Sequence, residues 1–273
     1  MLGNCLKNVK EKTPLVHNIT NYVTVNDVAN ALLACGGSPI MSDEPEDVID
    51  ITSICGGLNI NIGTLNQRSI EAMMLAGKKA KELGHIILLD PVGAGASKLR
   101  TDTAVKIMTT IRPNIIRGNV SEIKTLALGC GTTKGVDADV ADRVTEDNLP
   151  EMIEFAKDFS RTSKAVIAIT GAIDLVADGE KCYVIRNGVP EMSKITGTGC
   201  QLSGIATAYA VSNPEDITKG VAAAVCVMGL AGEIGFENLK PTEGNSTLRN
   251  RIIDAIYNMD KETLDKGAKY EIR

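Results

Sequence analysis

Residues Ile195–Val211, ITGTGCQLSGIATAYAV, place a glycine-rich turn and a cysteine at the start of an apolar helical pattern. The spacing of the apolar residues predicts a buried helix with Cys200 in its first turn. The first N–H groups of a helix have no internal partner and carry the positive end of its dipole. A glycine turn lets a phosphate approach these groups, and a thiolate is stabilised at the same place. The segment therefore predicts an anion hole formed by Gly197, Thr198 and Gly199, with Cys200 as a general base in its wall.

The same segment also has a purely structural interpretation. Gly-Thr-Gly is a common turn, and cysteine is among the most frequently buried residue types, where it packs as a small hydrophobe. Short glycine patterns are weak signals when taken alone. The positions of the other polar residues are needed to distinguish between the two interpretations.

Several of those residues follow short apolar runs that are typical of strands buried in a parallel sheet. Ligands of open parallel sheets bind beyond the carboxyl ends of the strands. Residues that are far apart in the sequence should therefore converge on one active site. The residues at the predicted strand ends are Asn18, Asn21, Met41, Asp90, Arg117, Thr170 and Gly171.

Two carboxylates are candidates for a magnesium site. Asp90 follows the apolar run Ile86–Leu89, where it can bind Mg²⁺ or a water of its shell, or can act only as a turn residue before a proline. Glu122 can hold a hydrated Mg²⁺ beside a phosphate. It also stands three residues after Asn119, which is the spacing of a helix capping box. Both alternatives stay open for each carboxylate.

The remaining strand-end residues suit a phosphorylated ligand. Arg117 is able to neutralise phosphate, although a solvated surface arginine is the default interpretation. Thr170 can donate a hydroxyl group and Gly171 lets a nucleotide come close, or the pair is a simple turn. Met41 either lines a substrate pocket or belongs to the core. His17 is interpreted as a hydrogen-bonded structural residue.

Alternating strand and helix patterns predict the elements that position these residues. They indicate an α/β protein with a mostly parallel sheet covered by helices on both faces. Asp178-Gly179 lies between two short apolar runs and predicts an antiparallel hairpin. Residues 129–145 are predicted to form a surface loop. We find no repeat or linker, so residues 1–273 are predicted to form a single domain.

Composition excludes several classes of protein. The net charge is −5 without a basic run, which argues against a nucleic-acid partner. No run of about 18 uninterrupted apolar residues predicts a membrane span, and the N-terminus lacks a signal-peptide pattern. Seven cysteines without a CxxC pair indicate reduced thiols, and a count of two histidines argues against a histidine-based metal site. These features predict a cytoplasmic protein that binds no membrane.

Seven motifs occur in order along the chain: HNITN (17–21), SPIM (38–41), NIGT (61–64), DPVGAG (90–95), RGNVSE (117–122), ITG (169–171) and TGTGC (196–200). In this order they resemble the hydroxyethylthiazole kinase family, which has the ribokinase-like fold and acts in thiamine salvage. The resemblance covers nearly the whole chain and is weakest in 129–145 and after about residue 240.

The resemblance implies a three-layer α/β/α fold and a defined reaction. With ATP and Mg²⁺, such an enzyme phosphorylates the hydroxyethyl group of 4-methyl-5-(2-hydroxyethyl)thiazole. Arg117 and Thr170 match positions that contact ATP, Met41 and the backbone at Gly197 match substrate contacts, and Asn119-x-x-Glu122 resembles the Mg²⁺-associated motif. The family's trimers imply a homotrimer with substrate sites at the subunit boundaries. The wider fold usually has Asp at the position of Cys200, so the identity of the base stays open.

Three alternatives remain at this point. The chain could phosphorylate another small alcohol, such as a hydroxymethylpyrimidine, or could be a nucleotide-binding regulator without phosphoryl transfer. A third alternative makes Cys200 the nucleophile of an acyl-transfer enzyme. That reaction needs a histidine partner, and the sequence places neither His17 nor His85 beside the cysteine.

Overall fold

The computed structural model describes residues 1–129 and 143–273. The predicted loop at 129–145 therefore lies largely outside the described residues. The strands are β1 Leu15–Ile19, β2 Ser38–Met41, β3 Gly57–Asn61, β4 Ile86–Asp90, β5 Ile115–Gly118, β6 Val166–Ile169, β7 Asp174–Ala177, β8 Cys182–Ile185 and β9 Tyr270–Ile272.

Helices follow most of the strands, as the alternating pattern predicted. Pro190–Lys194 adds one short 3₁₀ turn. The helices are α1 Gly3–Lys12, α2 Val25–Cys35, α3 Val48–Ile54, α4 Gln67–Leu83, α5 Lys98–Ile111, α6 Val120–Gly129, α7 Leu149–Ser163, α8 Thr198–Ser212, α9 Ile217–Glu237, α10 Asn245–Asn258 and α11 Lys261–Gly267.

The strands form one nine-stranded sheet in the order β2-β1-β3-β4-β5-β6-β7-β8-β9. Strands β1 to β6 are parallel, and β7, β8 and β9 pair antiparallel with their neighbours. The predicted hairpin is thus confirmed as β7–β8. The last strand, β9, was not predicted, because its three residues carry too little pattern to distinguish a strand from a tail.

Successive strand side chains point to opposite faces, and each face has its own helix layer. In β4, Leu88 packs with the layer of α1, α2 and α8 to α11. Its neighbours Ile87 and Leu89 pack with the layer of α3 to α7. The predicted mostly parallel α/β sheet with helices on both faces is confirmed, and it forms three layers.

Strand order reverses between β1 and β3, because the chain first builds outward to β2 and then continues on the other side of β1. Such switch points are where open α/β sheets bind ligands. Helix α8 returns across this point and contacts β1, β3 and β4. The first turn of α8 is thereby brought to the carboxyl ends of three strands that precede it in the sequence by more than 100 residues.

Helix α9 is apolar along most of its 21 residues, and by length and composition alone it could cross a membrane. However, 78% of its apolar window is buried inside the protein. Helices α8 and α10 both pack against it. We therefore interpret α9 as the central helix of one layer.

Candidate active site at the N-terminus of α8

Helix α8 begins at Thr198, two residues before the predicted start, and Cys200 lies in its first turn as expected. Gly197 precedes it with φ +85°, where a Cβ atom would lie 2.3 Å from the Thr24 side chain. Only glycine adopts this conformation at low cost. The first helical hydrogen bond runs from Gln201 N to Gly197 O, so the N–H groups of residues 198–200 precede the helical ladder. In the described part of the chain, no side chain caps them.

Arg117 of β5 lies directly against this helix terminus. A Cβ atom added at Gly199 would be 2.6 Å from Arg117 Nη1 and 2.7 Å from Nη2. Arg117 Nη2 donates to Thr170 Oγ1 over 2.6 Å, and Nη1 lies 3.6 Å from Asp90 Oδ2. A guanidinium beside the positive end of a helix is unfavourable unless an anion lies between them. This arrangement favours the predicted anion hole over an ordinary turn.

Asp90, the last residue of β4, is fully buried beside the hole. Its Oδ2 accepts hydrogen bonds from Asn61 Nδ2 at 2.7 Å and Ser203 Oγ at 2.8 Å. Its Oδ1 has no hydrogen-bond partner among the described residues. Burial raises the pKa of Asp90 to about 6, since it outweighs the lowering effects of Arg117, Ser203 and Asn61.

Cys200 lies next to the same network. Its Sγ accepts from Asn21 Nδ2 at 3.1 Å and from Asn61 Nδ2 at 3.3 Å. Burial, followed by the nearby Asp90 carboxylate, raises the pKa of the thiol, although hydrogen bonds from Thr24 and Asn21 and the charge of Arg117 oppose this. The pKa of the Cys200 thiol is therefore above its ordinary value in the free protein, because desolvation outweighs the favourable interactions with Thr24, Asn21 and Arg117.

Glu122 forms the capping box that its spacing indicated. Its N–H donates to Asn119 Oδ1, and its Oε2 accepts from Asn119 N, each at 2.8 Å. Its Oε1 also accepts from Gly93 N at 2.8 Å, which connects α6 to the loop after β4. Glu122 thus fixes the loop that follows Asp90, and each carboxylate oxygen still has a second lone pair for a hydrated cation.

Thr170 and Gly171 form the turn after β6, beside Arg117. The turn is closed by Asp174, whose Oδ1 accepts a hydrogen bond from Gly171 N at 2.8 Å. Burial raises the pKa of Asp174 to about 7, against the lowering effects of the Gly171 N–H and the Arg117 charge. Sequence reasoning assigned no role to Asp174, because its partner becomes visible only when the turn is formed.

The residues after β1 divide into two groups. Asn21 reaches the site through Cys200 and Asn61. Asn18 lies beneath it: its side chain donates to Val16 O at 2.9 Å and accepts from Asn59 Nδ2 at 3.0 Å. This argues against the predicted substrate contact of Asn18, because the side chain is 2% exposed and its amide is already paired.

Met41 lies at the edge of the site, and His17 is a structural residue next to it. Met41 pairs with Asn18 across β1 and β2 and is partly buried, so its side chain is accessible at this edge of the site. His17 Nε2 donates to Ser42 O, and Nδ1 accepts from Thr52 Oγ1, each at 2.9 Å. Burial lowers the pKa of His17, so it is a neutral structural residue, as predicted.

A magnesium ion fits the chemistry of this edge. Mg²⁺ is usually bound by one or two carboxylates together with waters and substrate phosphates. Asp90 offers the unpaired, buried Oδ1 beside the anion hole. Within the described ranges no group of three or more His, Cys, Asp or Glu side chains could hold a metal.

Two cavities lie away from the strand ends. One, of about 340 Å³, is between α9, α10 and α11, and the other, of about 420 Å³, is between α1 and residues 213–219. Neither is lined by a residue that the sequence singled out for chemistry. The convergence of charged and polar groups therefore favours the N-terminus of α8 as the site.

Asn61 and Ser203 are site residues that the sequence reasoning missed. A signal for Asn61 was present, because Asn59 and Asn61 alternate with Leu58 and Ile60 in a strand that is buried on both faces. A buried amide at such a position requires a partner. Nothing comparable indicated Ser203, since serine is common within helices that contact a sheet closely.

Comparisons with known proteins agree with this geometry. A profile described as "Hydroxyethylthiazole kinase family" matches residues 6–262. A hydroxyethylthiazole kinase of Clostridium acetobutylicum is 57% identical over 271 residues, 99% of each chain. The solved structure of a Pyrococcus horikoshii hydroxyethylthiazole kinase superposes with TM-score 0.89 at 31% identity, covering 100% of this chain and 98% of that one.

A more distant structure supports the fold alone. A ribokinase-like superfamily protein of Enterococcus faecalis has a TM-score of 0.63 at 13% identity, covering 96% of this chain and 89% of that one. The predicted ribokinase-like three-layer fold is therefore confirmed.

Proposed function

Because the chain belongs to the hydroxyethylthiazole kinase family, we propose that it transfers a phosphoryl group from ATP to the hydroxyethyl oxygen of 4-methyl-5-(2-hydroxyethyl)thiazole, in thiamine salvage. This proposal rests mainly on one observation: the Arg117 guanidinium lies against Gly199, at the uncapped N-terminus of α8. Phosphoryl transfer depends mainly on alignment and charge neutralisation, since its transition state is loose and anionic. Two positive groups side by side, the guanidinium and the helix N-terminus, suit that requirement.

The residues around the N-terminus of α8 have separate roles in the proposed phosphoryl transfer. The N–H groups of residues 197–200 bind the migrating phosphoryl group, in the manner of an oxyanion hole. Arg117 offsets its negative charge. Thr170 is hydrogen-bonded to Arg117 and, with Gly171, forms the turn over which the nucleotide lies. Asp174 positions this turn through the Gly171 N–H.

Mg²⁺ is proposed on the side of the hole where the carboxylates lie. Asp90 would hold it directly or through a water, and Glu122 would act through a water, since both of its oxygens already accept backbone hydrogen bonds. When bound, the cation supplies positive charge between the phosphate oxygens. The protein itself orients the Asp90 carboxylate through Asn61 and Ser203 and shields it from solvent.

The alcohol is proposed to lie beside Cys200, in a pocket formed by Asn21, Met41 and the backbone at Gly197. Cys200 accepts the proton in its thiolate form as the O–P bond develops. Burial raises the pKa of this thiol, so the proposed base is in its thiolate form only in a fraction of the free protein. A general base contributes about 10²- to 10⁴-fold, so Cys200→Ala should lose that factor if the assignment is right. Near-native turnover of Cys200→Ala would reject it.

The assembly is proposed to be a homotrimer with sites at the subunit boundaries. Tyr22 and Val23 support this, because these apolar side chains are 78% and 59% exposed next to Asn21. A neighbouring protomer would cover them and close the open side of the site. We further propose that residues 1–273 form one domain, supported by the single sheet, and that the enzyme is cytoplasmic.

ADP release by the purified protein tests the function. Mg-ATP is supplied with a panel of small primary alcohols that includes the thiazole alcohol and a hydroxymethylpyrimidine. Release that depends on the thiazole alcohol supports the proposal, preference for the pyrimidine indicates the related kinase, and binding of ATP without release with any alcohol indicates a regulator. The acyl-transfer alternative has lost its support, since the side chains that hydrogen-bond Cys200 Sγ in the described chain include two asparagines and no histidine.

A further inference from the structure

Asn61 is the side chain that connects the two reactive groups of the site. Its Nδ2 donates to Asp90 Oδ2 at 2.7 Å and to Cys200 Sγ at 3.3 Å. Its Oδ1 accepts from Asn21 Nδ2 at 3.0 Å and from Gly63 N at 2.9 Å. With 1% exposure, the amide has no water to replace any of these partners.

The four contacts determine which way the amide faces. An amide oxygen cannot donate, so two donors, Asn21 and Gly63, require Oδ1 on their side. The NH₂ group must then face Asp90 and Cys200. Because Nδ2 only donates, it matches an ionised carboxylate and a sulfur that acts as an acceptor, which are the states that the proposed reaction uses.

We propose that Asn61 is a positioning residue for phosphoryl transfer: its NH₂ group holds Asp90 Oδ2 and Cys200 Sγ at fixed places beside the anion hole. The Oδ2 contact leaves Asp90 Oδ1 as the carboxylate oxygen without a hydrogen-bond partner among the described residues. The Sγ contact, together with Asn21, holds the thiol at the first turn of α8. This inference rests on the proposed function and adds a role that acts through Asp90 and Cys200, without contact to the substrate.

Asn59 offers a matched control on the same strand and face, two residues earlier. It is also an asparagine, is 0% exposed, and donates to Asn18 Oδ1 at 3.0 Å. Its contacts therefore lie beneath the site. Asn59→Ala and Asn61→Ala each remove one buried amide from β3, so a purely structural role predicts similar consequences for both.

The experiment compares kcat, KM and melting temperature for the wild type, Asn61→Ala and Asn59→Ala, with Mg-ATP and the thiazole alcohol. We expect kcat of Asn61→Ala to fall about 10- to 100-fold, as for residues that orient a reactive group. KM for both substrates should stay within about threefold, because the lost contacts act on the chemical step. Asn59→Ala should keep kcat within about threefold, although it also loses thermal stability because Asn18 Oδ1 loses its donor.

Asn61→Leu is the second variant, used if Asn61→Ala does not fold. It keeps a similar volume, removes both donors without placing a second carboxyl group beside Asp90, and should show the same loss of kcat. Equal losses of kcat in the Asn59 and Asn61 variants, an unchanged kcat, or failure of both Asn61 variants to fold while Asn59→Ala folds would overturn the inference. A wild type that releases no ADP with any alcohol rejects the proposed function instead.

Discussion

Replacing Asp90 by asparagine should stabilise the free protein at neutral pH while it abolishes activity. Asp90 is fully buried, and burial raises its pKa from an ordinary 3.8 to about 6. Ionisation of this group therefore costs the folded state more than the unfolded one. In the proposed function the charge of this carboxylate is required to hold Mg²⁺, so activity should be lost with it.

The pKa difference determines both the sign and the size of the effect. Between pH 3.8 and about 6 the folded chain retains a proton that the unfolded chain has lost, so the free energy of unfolding falls as pH rises. At 1.36 kcal/mol for each pKa unit, this difference corresponds to about 3 kcal/mol at pH 7.5. The amide oxygen of the substituted side chain still accepts from Ser203 and Asn61, but the attraction to Arg117 is lost. We therefore expect a net gain of about 1–3 kcal/mol.

Urea unfolding in EDTA, at pH 4.0 and pH 7.5, measures this directly. Asp90→Asn should gain stability relative to the wild type at pH 7.5, and most of that gain should vanish at pH 4.0. Ser203→Ala is a control that keeps the titrating carboxylate and removes one of its donors. A variant that is less stable than the wild type at pH 7.5, by an amount independent of pH, would refute the reasoning.

Three further changes test other parts of the site. Gly197→Ala forces alanine into φ +85° against Thr24, so unfolding should become easier by at least about 1–2 kcal/mol and ADP release should fall with it. Arg117→Gln removes one charge from the anion hole and should lower kcat/KM for ATP about 10- to 100-fold in steady-state assays, and the melting temperature should also fall, because the buried Asp90 carboxylate loses its cation. Tyr22→Ser should reduce the assembly size measured by light scattering, whereas Tyr257→Ser, with a similarly exposed tyrosine at the far end of α10, should not.

The sequence predicts the elements of this fold well because their signals are local. The apolar run Ile86–Leu89 predicted β4, which extends one residue further to Asp90, and Asp178-Gly179 predicted the hairpin of β7 and β8. The convergence of Asp90, Arg117 and Thr170 followed from one rule about parallel sheets. Hydrogen bonds and close contacts now connect these residues.

What the sequence could not provide depends on the return of α8 across β1, β3 and β4. No local pattern encodes that path, so neither the Ser203 contact with Asp90 nor the position of Arg117 against Gly199 was predictable. The raised pKa of the Cys200 thiol could not be predicted for the same reason. A helix terminus lowers the pKa of a thiol, but the sheet beneath α8 buries Cys200, and this burial is the largest cause of its raised pKa.

A buried cluster of polar side chains connects the residues of the site in the free protein. Its members Asn21, Asn61, Asp90, Cys200 and Ser203 come from β3, β4, α8 and the loop after β1, and hydrogen bonds join each of them to another member. If one contact is broken, its partner atom stays buried without a hydrogen bond. This costs more free energy than the hydrogen bond itself contributes to stability. Asp90 Oδ1 and Arg117 Nε, by contrast, have no hydrogen-bond partner among the described residues, and both side chains flank the anion hole. The cluster thus fixes the orientation of the carboxylate and the thiol, while Asp90 keeps one oxygen free on the side where the charged ligand is proposed to bind.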